Sequence, residues 1–251
     1  MWRSSKAMQA ILGKKIGMTQ YITANGNLVP VTALEAGPCV VTDLRTPEKN
    51  GYKAVQIGYG DNIKEKNVGK AYKGQFAKNN QKIKKHVCEI RLDEKENFEM
   101  NQQIKVDIFK AGDLVDVQGR SIGKGFAGGV KKWGWRGGAS SHGSMHHRRI
   151  GSVGASSFPS RTWPGHHMPG RMGGETKTVQ NLEVVKVDVE KNLMLVKGAV
   201  PGCDSTLLYI RRSLKRPEGI KVKQAPKESL KKDPLKAAKK AAAGGGGGKK
   251  K

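Results

Sequence analysis

Between residues 117 and 174 the chain carries no aspartate or glutamate, while Arg120, Lys124, Lys131, Lys132, Arg136, Arg148, Arg149, Arg161 and Arg171 give that segment a charge of +9. A block free of acids has no internal partners for its cations, which must turn to water or to an outside anion. The block is also rich in glycine, a residue that loses much conformational freedom on ordering and suits a backbone approached closely by another surface. It cannot assemble a core of its own. It is therefore expected to leave a folded body and return to it.

That body is legible on both sides of the block. Residues 8–22 alternate loosely, Asn25-Gly26 marks a tight hairpin before residues 28–34, and Gly37-Pro38 breaks the chain again. Residues 39–44 are β-branched, and Asn50-Gly51 introduces a further strand-like run over 52–58. Residues 61–84 are lysine-rich and weakly patterned, with 71–77 the one place where a short helix could dock. Strand-like runs return at 86–92, 103–109 and 114–117. Beyond the block, 178–189 and 193–198 flank Glu190-Lys191-Asn192 as a hairpin, and 207–210 gives one more strand. The spacing predicts a mainly β fold, a barrel or sandwich, without alternating βα units. The expected organisation is a leader over 1–7 and barrel strands over 8–118 with a small insertion at 61–84. An extended loop over 119–175, closing strands over 176–212 and a lysine-rich low-complexity tail over 213–251 complete it.

The whole chain holds 47 Lys+Arg against 21 Asp+Glu, a net charge of +26. Residues 211–251 supply +12 of this, which with the +9 of the block leaves +5 for the remainder, so the excess is localised. Self-repulsion on that scale points to a polyanionic partner. Nucleic acid and anionic membrane both qualify, but no stretch approaches the roughly 20 apolar residues of a membrane span. Residues 1–7 are basic and are not followed by the apolar run of a secretory signal, so the chain is expected to be intracellular, with Met8 as an alternative start. The tail, dominated by Lys, Ala and the glycines of 244–248, cannot bury a face and should stay disordered without a partner. Cys39, Cys88 and Cys203 form no C-x-x-C pair, which argues against a disulfide framework and a cysteine zinc site. Each lies among β-type residues and is expected in a core.

Within the block, Gly123-Lys124-Gly125-Phe126-Ala127-Gly128 has the spelling of a dinucleotide-binding turn. That fingerprint needs a following helix and an acid about 20 positions on. The four glycines over 129–141 argue against the helix, and the next acid is Glu175. Gly123, Gly125, Gly128, Gly151 and Gly154 are instead expected as positions of close backbone approach. His142 and His146 have i, i+4 spacing, but glycine and serine around them make a helix poor. No Cys, Asp or Glu in the block completes a metal site. With His147, His166 and His167 they are expected to stack on bases or to bond phosphate and ribose oxygens. Trp133, Trp135 and Trp163 are interleaved with cations. They either pack into a small local core or stack on unpaired bases, and at least one is expected to stack. Ser140, Ser141, Ser144, Ser156 and Ser157 lie near histidines without an orienting carboxylate, so no catalytic set is expected. Neither a cofactor nor a small-molecule substrate is implied. A basic nucleic-acid-binding protein or RNA chaperone outside any stable particle would share this charge pattern.

Three motifs narrow the choice. Met8-Gln9-Ala10-Ile11-Leu12-Gly13-Lys14-Lys15-Ile16-Gly17-Met18-Thr19 opens the chain and Gly123-Lys124-Gly125-Phe126-Ala127-Gly128 stands in the middle. Val184-Val185-Lys186-Val187-Asp188 with Leu195-Val196-Lys197-Gly198-Ala199-Val200-Pro201-Gly202 follows near the end. In this order they resemble the large-subunit ribosomal protein L3 family, of bacterial or organellar type, over about residues 8–210. The resemblance implies a β-barrel related to those of translation factors, with a long loop between barrel strands over roughly 119–175. In the family that loop penetrates the large-subunit RNA toward the peptidyl transferase centre, with Ser152-Val153-Gly154-Ala155-Ser156-Ser157 at its deepest part here. It also implies early binding to 23S-type ribosomal RNA, neighbouring ribosomal proteins as partners, a ribosomal location and no enzymatic activity. Two departures stand out. Residues 151–174 hold no glutamine, so the glutamine methylation of some bacterial members should be absent, and the tail after Ser213 is longer than the family leads one to expect.

Overall fold

The computed structural model describes residues 10–23, 25–61, 65–92 and 97–216; the expected leader and the tail beyond Arg216 lie outside the described residues. In chain order the strands are β1 (Ala10–Ile22), β2 (Leu28–Ala36), β3 (Cys39–Arg45), β4 (Ala54–Tyr59), β5 (His86–Arg91) and β6 (Gln103–Ile104). They continue as β7 (Leu114–Arg120), β8 (Phe126–Ala127), β9 (Gly170–Arg171), β10 (Thr176–Asp188), β11 (Leu193–Lys197) and β12 (Leu207–Arg212). Among the described residues three short α-helices, α1 (Pro47–Asn50), α2 (Lys70–Ala77) and α3 (Gly129–Trp133), and two 3-10 turns, Glu65–Asn67 and Val106–Ile108, join them. The mainly β class is as expected.

Six strands close on themselves in the order β1-β12-β7-β10-β11-β2, every pairing antiparallel, with β2 returning to β1. The period of two that marks these strands in sequence decides which side chains are buried. In β12, Leu208 and Ile210 are fully buried while Leu207, Tyr209 and Arg211 are only partly covered. Ile11, Leu34, Val117 and Met194 join them in one cluster. Each such side chain contributes about 1.5–3 kcal/mol on leaving water.

Not all of residues 8–118 belong to that ring, and here the expectation is corrected. Only β1, β2 and β7 take places in it. Strands β3 to β6 form a separate four-stranded sheet in the order β5-β4-β3-β6. Its Val41, Val55, Ile57 and Ile104, with Phe109 beyond β6, share a core cluster with Ile11 and Leu34, so one apolar interior lies between ring and sheet. The change of sheet occurs at Gly37, with φ +83°, where an added Cβ would lie 3.0 Å from Ile11 Cδ1 and 3.1 Å from the Ile104 carbonyl oxygen. Alternating hydrophobicity shows that a strand exists and is silent about which sheet it joins.

The lysine-rich insertion forms α2, whose Phe76 is buried and touched by the tilted ring of Tyr72 at 5.2 Å. Asn79 Nδ2 donates to the Thr42 carbonyl at 2.7 Å and Gln81 Nε2 to the Val41 carbonyl at 2.9 Å, tying the insertion to β3. The cysteines divide. Cys39 is buried, its thiol pushed up to about 12 by burial, and Cys88 is partly covered, its thiol also raised by burial. Cys203 is exposed, which corrects the expectation of three core thiols. It sits in the turn before β12, outside any strand that could aim it inward.

Asp116 is 1% exposed on β7 and holds a bulge in its neighbour. Its Oδ1 accepts the Asn181 N–H at 3.0 Å, where the β10 register shifts between Val179 and Leu182, and its Oδ2 lies 3.6 Å from Arg211 Nε. Asn181 has φ +58°, and its Oδ1 accepts the Ser213 hydroxyl at 2.6 Å. Asp116→Ala removes the acceptor of the Asn181 N–H, and losing such a hydrogen bond costs about 0.5–1.5 kcal/mol. Thermal melting should fall by roughly 2–4 °C for each kcal/mol in a domain of this size. An unchanged midpoint would mean that the bulge is held by other contacts.

Candidate nucleic-acid interface

The β7–β10 ladder ends at Arg120 opposite Thr176, yet backbone hydrogen bonds continue past the ring. Ser121 N–H donates to the Glu175 carbonyl at 2.8 Å, Lys124 N–H to Met172 at 2.8 Å, and Met172 N–H to Gly125 at 2.9 Å. β8 and β9 then pair in turn. Gly173 sits in this stalk with φ +71°, and an added Cβ would lie 2.1 Å from the Ile122 carbonyl oxygen, so only glycine fits. The acid-free block thus emerges from two ring strands.

Directly after Gly128 comes α3, so the absence of a helix does not hold as an argument against the dinucleotide reading. The helix forms despite its glycines because one of them is needed. A Cβ on Gly129 would lie 1.9 Å from ring atoms of Trp135, which packs against the helix start. The missing acid still tells against a dinucleotide. Glu175 pairs with Lys177 at 3.1 Å, outside the block.

Among the described residues none of the nine cations Arg120, Lys124, Lys131, Lys132, Arg136, Arg148, Arg149, Arg161 and Arg171 is in an ion pair. Lys132 is partly covered, with its Nζ 5.1 Å from the Trp133 ring centre, and the other eight are exposed. Arg120 Nε donates to the Gly174 carbonyl at 3.1 Å, which aligns it along the stalk and leaves its charge unneutralised.

The three tryptophans separate into different roles. Trp133 stacks on His167 with centroids 3.9 Å apart and planes 3° from parallel, and its Nε1 donates to the Met168 carbonyl at 2.8 Å. Trp135 is partly covered against Gly129. Trp163 is 60% exposed and makes no ring contact among the described residues. His142, His146, His147 and His166 are exposed, as is His167. His142 lies in a turn and His146 in irregular backbone, not on a helix face, and His142 and His147 have φ of +56° and +38°. His147 Nδ1 lies 3.1 Å from the Ala139 carbonyl oxygen. No group of three His, Cys, Asp or Glu able to hold a metal occurs among the described residues.

The block's glycines also divide. Gly129, Gly137 and Gly173 are demanded by the chain's own packing, the second by a 2.6 Å approach to the His147 carbonyl oxygen. Gly125 has φ +67°. At Gly123 and Gly128 an added Cβ would meet nothing within 4 Å; at Gly151 it would meet His146 Nε2 at 3.7 Å, and at Gly154 the Arg161 carbonyl oxygen at 4.0 Å. Among the described residues nothing requires glycine at these four.

Side chains from both arms of the block surround a cavity of about 450 Å³, lined by Trp135, His146, Arg149, Ile150, His166 and His167 among others. Elsewhere in the block Phe126, Met145 and Phe158 are more than three-quarters exposed, and reading the sequence by charge and ring type passed over them. Their signal was available: large apolar residues in a stretch with no strand period have no core to enter.

Residues 87–192, from β5 to the turn before β11, match the family model described as ribosomal protein L3, a span that contains the whole block and its root strands β7 and β10. Two of the motifs quoted above, at 123–128 and 184–188, fall inside that span, so residues 87–192 are those by which the chain is similar to ribosomal protein L3 of the large ribosomal subunit.

Proposed function

We propose that the chain is a large-subunit ribosomal protein, that it binds 23S-type ribosomal RNA directly through residues 119–175, that it does so early in subunit assembly, and that the loop reaches toward the peptidyl transferase centre. One observation carries the reading: nine cations stand on a stalked loop with no acid to pair with them. Phosphates of several RNA segments converging on that loop would be neutralised together, so that the segments pack closely. The ring is the counterpart of the translation-factor-like barrel and supplies a rigid root. Gly123, Gly128 and Gly154 let backbone meet RNA closely, Gly125 turns the chain, and the exposed imidazoles supply hydrogen bonds. The role is positional; the family is structural, not enzymatic.

Neighbouring ribosomal proteins have a different surface to meet. Residues 16–34 hold no charged side chain in a chain of net charge +26, and Ile16, Met18, Ile22 and Leu28 are exposed there. A neutral apolar hairpin suits protein better than phosphate.

The test is filter binding of the full chain to a large-subunit RNA fragment. Trp163, unsupported by its own fold, is the tryptophan assigned to stacking on a base. Trp163→Ala should weaken binding by about 1–3 kcal/mol and leave the melting of the free protein unchanged. Trp133→Ala should instead loosen the loop, because it removes the His167 stack and the Met168 hydrogen bond. Normal binding by the Trp163 variant would remove that residue from the interface.

A further inference from the structure

Resting on the reading of the loop as an RNA-binding element, we propose that the cavity between Trp135 and the imidazoles of His146, His166 and His167 seats a single unstacked RNA base, with Arg149 taking the adjoining phosphate. The cavity is small and local, whereas the cation array is spread along the whole block. Its volume of about 450 Å³ lies within the range of roughly 300–1,000 Å³ usual for small-ligand pockets. It holds one nucleotide and excludes a helix.

The walls select the ligand. Trp135 is held from behind by Gly129, so close that no Cβ fits between them, and it still lines the cavity. His167 is held by the parallel ring of Trp133 at 3.9 Å, and it too lines the cavity. Two flat groups are thus fixed before any ligand arrives, which lowers the entropy cost of stacking on them. A planar π-system is the natural occupant. Imidazole nitrogens can donate or accept, matching the edges of a base. The charge completes the choice, since Arg149 stands on the wall and no carboxylate lies anywhere in the block, so the occupant belongs to an anionic strand whose phosphate meets Arg149.

The two arms that carry these walls are set by short backbone bonds. Gly138 N–H donates to the His147 carbonyl at 2.6 Å, Arg149 N–H to His146 at 2.8 Å, and His166 N–H to Trp163 at 3.2 Å. Most of the lining residues are exposed at their outer edges, so a base can enter from solvent while its strand stays outside. Gly151 lies on the rim. Its φ is not left-handed, and an added Cβ meets only the tip of His146 at 3.7 Å, so a larger side chain there fills the cavity without straining the chain.

The experiment uses the full chain with two probes, an octamer of uridylates and an octamer of ribose phosphates lacking bases. Wild type should prefer the strand with bases, by on the order of 5- to 150-fold for each stacked base. Gly151→Leu should remove one such factor of at least about fivefold from that preference, leaving affinity for the base-free strand unchanged; Gly151→Ala should fall between. Tryptophan emission and circular dichroism matching wild type establish that the loop is intact. If Gly151→Leu weakens both strands equally, Gly151 serves backbone approach and the pocket is overturned. A preference untouched by the leucine overturns it as well. The underlying RNA reading fails separately, through a base-free strand that binds weakly and without salt dependence.

Discussion

Raising monovalent salt from 50 to 200 mM is expected to weaken binding of the chain to a large-subunit RNA fragment by about 10³- to 10⁵-fold. Each phosphate neutralised releases condensed counterions, and log K falls with log salt by about 0.7–0.9 per contact. Nine cations without an internal acid make a slope on the order of six or more the expected value if most of them reach phosphate. The tail carries +12 over 211–251 and would contribute as well, so the decisive sample is a chain ending at Arg216, which retains every loop cation. A slope near one or two in that sample would mean that the loop lies against something other than a polynucleotide. The same titration with Arg148, Arg149 and Arg161 changed together to Gln should lower the slope by about 2–3, since all three are exposed and free of ion pairs.

The block's charge was legible from sequence alone because the absence of acids is a property of composition, and no folding can supply a carboxylate that the chain lacks. The ring strands were legible for a related reason: Leu208 and Ile210 alternate with less buried neighbours, and alternation is local. What stayed hidden depends on distant pairs. The segregation of β3 to β6 into a second sheet is decided where Gly37 meets Ile11 and Ile104. The helix α3 was passed over because the glycines in 129–141 count as helix breakers, yet Gly129 is there to admit Trp135, six positions on. Trp133 was counted as a candidate for stacking on RNA, and its partner in the structure is His167, far along the other arm of the loop. The cavity joins residues near 135, 149 and 166, a juxtaposition no spacing rule contains. Cys203 sits in a turn, where the neighbouring β-type residues lose their power to indicate a face.

Two glycines on one strand should respond oppositely to the smallest possible change. Gly13 of β1 lies where the ring closes, paired with Leu208 on one side and Ala36 on the other. An added Cβ would stand 2.3 Å from the Glu35 carbonyl oxygen and 3.2 Å from Ala36 Cα, both backbone atoms that cannot rotate aside. Gly13→Ala must therefore part β1 from β2. Overpacking of this kind costs about 1–3 kcal/mol, occasionally more, and at the upper end the melting temperature drops by roughly 6–12 °C. Gly17, further along β1, has nothing within 4 Å of an added Cβ and no left-handed φ. Gly17→Ala should leave the midpoint unchanged or raise it slightly, because it narrows the unfolded ensemble without meeting a neighbour. Equal midpoints for the two variants would show that the ring yields at its closure. Below its own melting temperature the Gly13 variant should still bind RNA at the wild-type salt slope, since the stalk is rooted in β7 and β10 and neither pairs with β1.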